Sequence, residues 1–356
     1  MNKKDKLSYF LVWEFFMKNI ISVVLVIIGT LIGAGFASGR EIYLFFMKYG
    51  EYGKIGIIVS GAITGIIIYK VLKIVKTYEI DNYHNLLEKI NWKHKNLNKL
   101  INIIVNSFLL ISFYIMIAGF SAYVYQISGF PVYLSSTIFA FLCYIIFRKN
   151  IQGVIKANEV LVPFLIILIC YLGIKSLPEL FNSENTEMFI LKERGWLIKS
   201  VLYASYNSII LVPVLTSLSD CIGGKKAIIK ISIITAIIVI ILAYLIFGLL
   251  LRGNIFIVEL EMPLVEIVIQ FGKIFKYIYG FVIISSIFTS AISTGYSFLK
   301  NVAKTKKSYE IILLTICITG VLISSIGFSK LVEVLYPIFG VLGLIQILLL
   351  FKRNIS

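Results

Sequence analysis

The chain is short of charge, of histidine and of cysteine, and each shortage closes a class of function. Only 15% of its 356 residues are Asp, Glu, Lys or Arg, whereas 59% are hydrophobic. A soluble domain cannot hide that much apolar surface in one core, so the composition, with a mean hydropathy of +0.95, is that of a polytopic membrane protein. The two histidines, His84 and His94, stand amid Lys and Asn, the setting of solvated loop residues rather than of metal ligands. The four cysteines, Cys143, Cys170, Cys221 and Cys317, are scattered without a CxxC pair, so neither a zinc site nor a disulfide framework is implied. No HExxH, GxSxG or Walker signature occurs at a usable position, which argues against an enzyme.

What is abundant is aliphatic sequence, in ten segments. They run near Ile20 to Met47, Ile55 to Val75, Leu100 to Ile127, Val132 to Phe147, Val160 to Leu177, Trp196 to Leu218, Ala227 to Leu251, Ile274 to Leu299, Ile311 to Phe328 and Leu331 to Phe351. The net charge of +16 would suit nucleic acid, but no charged segment is long enough to build a basic groove with stacking aromatics. It suits topology instead. With the N-terminus cytoplasmic, 23 of the 34 Lys and Arg fall on the inside, as the positive-inside rule requires. The expected organisation is a tail over 1–18 and one transmembrane domain over 19–352, in a cell membrane, with both termini cytoplasmic. The apolar run after Lys18 is longer than a signal-peptide core, and its removal would invert every later charge bias, so cleavage is not expected.

The first segment ends in Gly29-Thr-Leu-Ile-Gly-Ala-Gly-Phe-Ala-Ser-Gly-Arg-Glu41, which carries four glycines. Small residues four apart could serve only close helix packing. The charged pair Arg40-Glu41 favours a break: a second half-helix starting at Ser38 or Gly39 would be capped by Ser38, with Glu41 in its positively polarised first turn. A broken helix inside lipid marks a binding site, because its freed carbonyl and N–H groups need partners. The sixth segment repeats the anomaly. Ser205, Tyr206, Asn207 and Ser208 interrupt it near mid-membrane, and Pro213 follows. Side chains bonding a neighbouring helix, with a simple proline kink, would explain the same residues. Segments one and six open two five-segment halves, about 19–178 and 195–352, so an inverted repeat with paired broken helices is expected. In segment eight, Ser286, Thr289 and Ser290 share one helical face, and hydroxyls beside freed carbonyls make a hard-oxygen site for a small cation. Hydroxyls bonding back to the preceding turn are the plainer alternative.

Gly29-x-x-Ile32-Gly33-x-Gly35 resembles the first-helix signature of the amino acid, polyamine and organocation transporter superfamily. The longer run Gly-Ala-Gly-Phe-Ala-Ser-Gly-x-Glu, with Tyr206-Asn207 and Asn158 to Pro163 at the opening of the fifth helix, looks like the YkvI-like membrane proteins within it. The resemblance implies an all-α fold of about ten helices, a five-plus-five inverted repeat of the LeuT type with helices one and six broken. It implies a sodium position formed by the carbonyls of Gly29 and Ile32 with the hydroxyls of Thr289 and Ser290, to which the polar face adds Ser286; sodium is expected rather than a proton, and no other cofactor. Gly33, Ala34, Gly35, Phe36, Ser38, Ser205, Tyr206 and Asn207 would face the substrate, Tyr114 would be a lid aromatic, and Arg40 and Glu41 an outer gate. Lys156 and Glu159 are the candidates if protons do the coupling. The expected function is cation-coupled secondary transport of a small organic solute, an amino acid or related zwitterion. A non-transporting sensor on the same fold, of the germinant-receptor type, is the competing class, and a channel is third. Expected partners are the small-molecule substrate and the lipid bilayer, with no nucleic acid and no obligate protein partner.

Overall fold

The computed structural model describes residues 20–80, 83–91, 95–148, 152–181, 194–218, 222–253 and 255–352. The side chains of Asn158, Lys156 and Glu159, with Cys221, His94 and the 1–18 tail, lie outside the described residues. Every regular element described is a helix. That follows from the solvent: in hydrocarbon a backbone must satisfy its own N–H and C=O groups, and a helix does so within one segment.

The chain starts with α1 (Ile20–Leu31), the short α2 (Ala34–Ala37) and α3 (Arg40–Phe45), which together make the first crossing. Next come α4 (Gly50–Thr77), the amphipathic α5 (Tyr83–Asn91), α6 (Lys95–Ser128), α7 (Val132–Arg148), α8 (Gln152–Ile174) and the one-turn α9 (Leu177–Leu180). The second half holds α10 (Trp196–Ser217), α11 (Lys225–Leu251), the short α12 (Ile255–Val258) and α13 (Pro263–Ile267), then α14 (Lys273–Val302), α15 (Lys306–Ser324) and α16 (Phe328–Lys352). Among the described residues seven helical runs are long and apolar enough to cross a membrane, and three shorter apolar helices, Ile20–Leu31, Val132–Arg148 and Val162–Ile174, accompany them. The ten apolar segments of the sequence therefore each carry a helix, although α8 begins earlier than expected and contains Pro163 in its interior.

Equivalent spans of the two halves lie against each other. The second packs on the seventh (α4 on α11) and the third on the eighth (α6 on α14), while α10 is clasped between α4 and α16. Small residues permit the closeness: a Cβ on Gly65 of α4 would stand 2.9 Å from Ala236 Cβ of α11.

One expectation is corrected. The sixth segment is not broken; α10 runs without interruption from Trp196 to Ser217 through Pro213. Its polar residues need no unwinding because they bond back along their own helix. Ser205 Oγ donates to the Val201 carbonyl (2.7 Å), Asn207 Nδ2 to the Tyr203 carbonyl (3.0 Å) and Ser208 Oγ to the Ser205 carbonyl (2.7 Å).

Candidate functional site

The first span is broken twice, and each break has a local cause. α1 closes with Ile32 N–H on the Ile28 carbonyl, Gly33 is extended (φ −87°, ψ −173°), and one turn later Gly39 takes φ +81°, a left-handed conformation that favours glycine. Gly39 is also hemmed in, since a Cβ there would lie 2.9 Å from Leu264 Cγ. Four of the carbonyls at these breaks find donors. Ile32 O faces Ser286 Oγ at 3.4 Å, Gly35 O accepts from Ser38 Oγ at 3.1 Å, Ala37 O accepts from Tyr279 OH at 2.6 Å, and Ser38 O accepts from the Leu264 N–H of α13 at 3.1 Å. Protein groups thus replace the helical ladder, the condition under which broken backbone persists at membrane depth. Gly39 holds the cap position of α3, and Ser38 stands one residue before it: its buried hydroxyl donates to the Gly35 carbonyl at 3.1 Å and accepts from the Arg40 N–H, the first of α3, at 3.4 Å.

Beside the first break lies a cavity of about 20 Å³, room for one water or one bare ion. Gly29, Ile32, Val162, Leu165, Val282, Ser286 and Thr289 line it. Four of the five cation candidates are therefore brought together from α1, its end and α14. Ser290, half-buried, is not in the lining. Thr289 Oγ1 donates to the Ser285 and Ser286 carbonyls at 2.9 and 3.2 Å, which leaves its oxygen lone pairs as acceptors or ligands.

The second cluster forms around Glu41. This residue is 3% exposed, and its carboxyl group accepts a hydrogen bond from the Tyr206 hydroxyl, with the Tyr203 hydroxyl and the Phe36 N–H beside it. Gly35 is glycine because a Cβ there would run into that carboxyl. Tyr206 stacks on Tyr336 of α16 (ring centroids 4.6 Å apart) and packs against Phe45 (5.6 Å), while Tyr203 meets Phe45 edge-on at 5.3 Å. Gly33, Ala34, Gly35, Phe36, Tyr206 and Asn207 thus gather near the break. A Cβ on Gly33 would meet nothing within 4 Å, so its backbone borders open space. Ser205 instead backs onto Gly343 of α16.

Two assignments change. Arg40 and Glu41 do not act as one gate: consecutive residues on a helix point about 100° apart, and the fold sends Glu41 inward and Arg40 outward. Arg40 Nη1 donates to the carbonyls of Glu259 (3.3 Å) and Leu260 (3.5 Å), and Nη2 lies 3.9 Å from Glu333 of α16. Lys48 joins Glu333 at 3.2 Å on the rim of a vestibule of about 120 Å³, lined by Leu44, Phe45, Lys48, Tyr49, Lys199, Glu333 and Pro337. Tyr114 is turned toward the ninth span. Its hydroxyl pairs with Thr319 Oγ1 of α15 at 2.7 Å and its ring lies on Gly320, so it packs the bundle away from the break. Tyr203, Tyr336, Tyr279 and Glu333 were not signalled by sequence. Only Tyr203 had a cue, sharing a helical face with Tyr206 at i, i+3.

Bundle and broken first span together define a helical membrane protein of the LeuT-type fold. No family model matches the chain. It is 29% identical over 325 residues to the uncharacterized membrane protein YkvI of Bacillus subtilis strain 168, covering 90% of this chain and 91% of that one. It is 24% identical to the uncharacterized protein YyaD of the same strain, covering 90% and 92%. Among solved structures it superposes on a mutant of the Eremococcus coleocola manganese transporter with a TM-score of 0.62 at 13% identity, covering 97% of this chain and 80% of that one. MhsT in complex with L-phenylalanine gives 0.56 at 17% identity, covering 88% and 80%. A Na+-coupled sialic acid symporter gives 0.51 at 12% identity, covering 95% and 83%.

Proposed function

We propose that the chain is a secondary active transporter of a small organic solute, an amino acid or related zwitterion, that works by alternating access in the cell membrane and couples to sodium. The observation that carries this reading is the step at Ile32–Gly33, where a carbonyl leaves its helix and meets Ser286 beside a cavity sized for one small ion. Carbonyl and hydroxyl oxygens are the ligands a hard cation prefers. In this reading Gly29 and Ile32 give carbonyls to the ion, and Ser286 and Thr289 give hydroxyls. An ion there bridges the first and eighth spans, and so favours the conformation in which they stand close. The backbone from Gly33 to Phe36, with Tyr206 and Asn207, faces the solute, while Arg40 and Glu333 close the vestibule above it. Both termini are cytoplasmic, and the chain takes its place in the amino acid, polyamine and organocation superfamily. The likeness to a manganese transporter, at 13% identity, lends the fold and not a cargo.

The continuous α10 favours a second reading, a ligand receptor on the same fold that binds without cycling. One experiment separates the two. Purified protein in sealed vesicles is offered labelled amino acids at fixed pH, with an inward gradient of sodium or of choline. Uptake stimulated by sodium is expected; saturable binding without accumulation would establish the receptor, and accumulation indifferent to sodium would remove sodium from the mechanism.

A further inference from the structure

Glu41 is an acidic side chain that the fold carries to the centre of the bundle and leaves without a cation. Every group that touches its carboxyl is formally neutral: Tyr206 and Tyr203 on α10, and the Phe36 N–H on α2. From α16 the facing group is Tyr336, also a phenol. On its own helix the neighbouring cation, Arg40, is turned to Glu333 and to the carbonyls of Glu259 and Leu260. No described Lys, Arg or His touches the Glu41 carboxyl.

A carboxylate taken out of water needs a positive charge, and neutral hydrogen bonds do not supply one. The partners chosen here suit a group that changes state. A tyrosine hydroxyl can donate to a carboxylate oxygen and can equally accept from a protonated one, whereas Lys or Arg could serve the anion alone. Position gives the change a consequence. Through Tyr206 the Glu41 carboxyl ties α3 to α10, and it lies against Gly35 of α2 across the left-handed Gly39. The first span cannot move away from the sixth without breaking the bond to Tyr206.

We propose that Glu41 is a proton-binding site, separate from the Ile32–Ser286 cavity, that holds a proton while the first and sixth spans are packed together and releases it to water when they part. The step is a simple exchange, in which the carboxylic acid gives its proton to water and recovers it on reclosure, with no electron transferred. It deepens the transporter reading, on which only its coupling to solute movement rests. A cavity ion and the Glu41 proton would then report on the two ends of one broken helix.

The test is infrared difference spectroscopy of the purified full-length chain, which resolves the C=O stretch of a neutral carboxylic acid from the bands of carboxylates. The wild type is compared near neutral pH with Glu41→Gln, Glu41→Asp and Tyr206→Phe, each checked for folding by size exclusion. A neutral-acid band that disappears in Glu41→Gln, and shifts in frequency in Glu41→Asp and Tyr206→Phe, is expected. If Glu41→Gln fails to fold, the Asp and Phe variants carry the test through the frequency shift. A spectrum in which no neutral-acid band responds to these substitutions means that Glu41 is ionised and overturns the proposal. The measurement needs no solute, so its failure is distinct from a failure of uptake.

Discussion

Replacing Gly35 by alanine tests the packing at the centre of the bundle without touching a titratable group. A Cβ on Gly35 would stand 2.8 Å from Glu41 Cγ and 2.9 Å from Cδ, and nearer still to Oε1, distances that side chains do not tolerate. The carboxyl group would have to leave, breaking its bond to Tyr206. Loss of that hydrogen bond costs about 1 kcal/mol net, and a buried group left without its partner costs about 1–3 kcal/mol. A second substitution isolates the cause. On a Glu41→Ala background there is no carboxyl to strike, so Gly35→Ala should cost far less, and the two changes should be non-additive by about 2 kcal/mol. The four proteins are heated in detergent and the surviving folded fraction read by size exclusion. Gly35→Ala alone should lower the midpoint by several degrees, and the same change beside Glu41→Ala should hardly move it. Equal losses in both backgrounds would refute the contact and make Gly35 a plain packing residue.

Further outcomes follow from the other parts of the first span. Gly39→Ala should destabilise the protein by at least the ~1–2 kcal/mol of a left-handed alanine, since Leu264 and Leu250 also crowd that position; a thermal midpoint equal to wild type would show that the bend is not left-handed. Ser286→Ala with Thr289→Val should weaken sodium activation about tenfold, equivalent to about 1.4 kcal/mol, while solute binding without sodium changes little; unchanged sodium dependence would move the ion elsewhere. Arg40→Ala should raise the labelling rate of a cysteine placed at Tyr49, because the tie to Glu333 across the vestibule is cut; an unchanged rate would mean that Arg40 closes nothing. Reporters fused after Ser356 and inserted within 182–187 should report opposite sides of the membrane, and the same side for both would remove the ten-span topology.

The site was half legible before folding was considered. Gly33 and Gly39 announced the breaks because backbone freedom is a property of one residue and its neighbours. The hydroxyls of Ser286 and Thr289 announced a polar face because helical spacing alone puts them together, and the cavity beside Ile32 joins them to Gly29. Ser205, Asn207 and Ser208 misled in the same local terms: the polar residues that suggested an unwound sixth span are satisfied one turn back in an intact helix. Tyr114 misled for a different reason, since which helix an aromatic faces depends on rotation about the axis, and Thr319 on the ninth span captures its hydroxyl.

Hydropathy and the glycine spacing were enough to specify a many-helix membrane protein with a broken first span, because each is a sum or a pattern over adjacent positions. The partners of the freed carbonyls, the separation of Arg40 from Glu41, and the burial of Glu41 against a tyrosine 165 positions away were decided only by tertiary structure. Those features depend on which distant helix arrives beside the break and at what rotation, and no local pattern encodes a neighbour that the chain has not yet met.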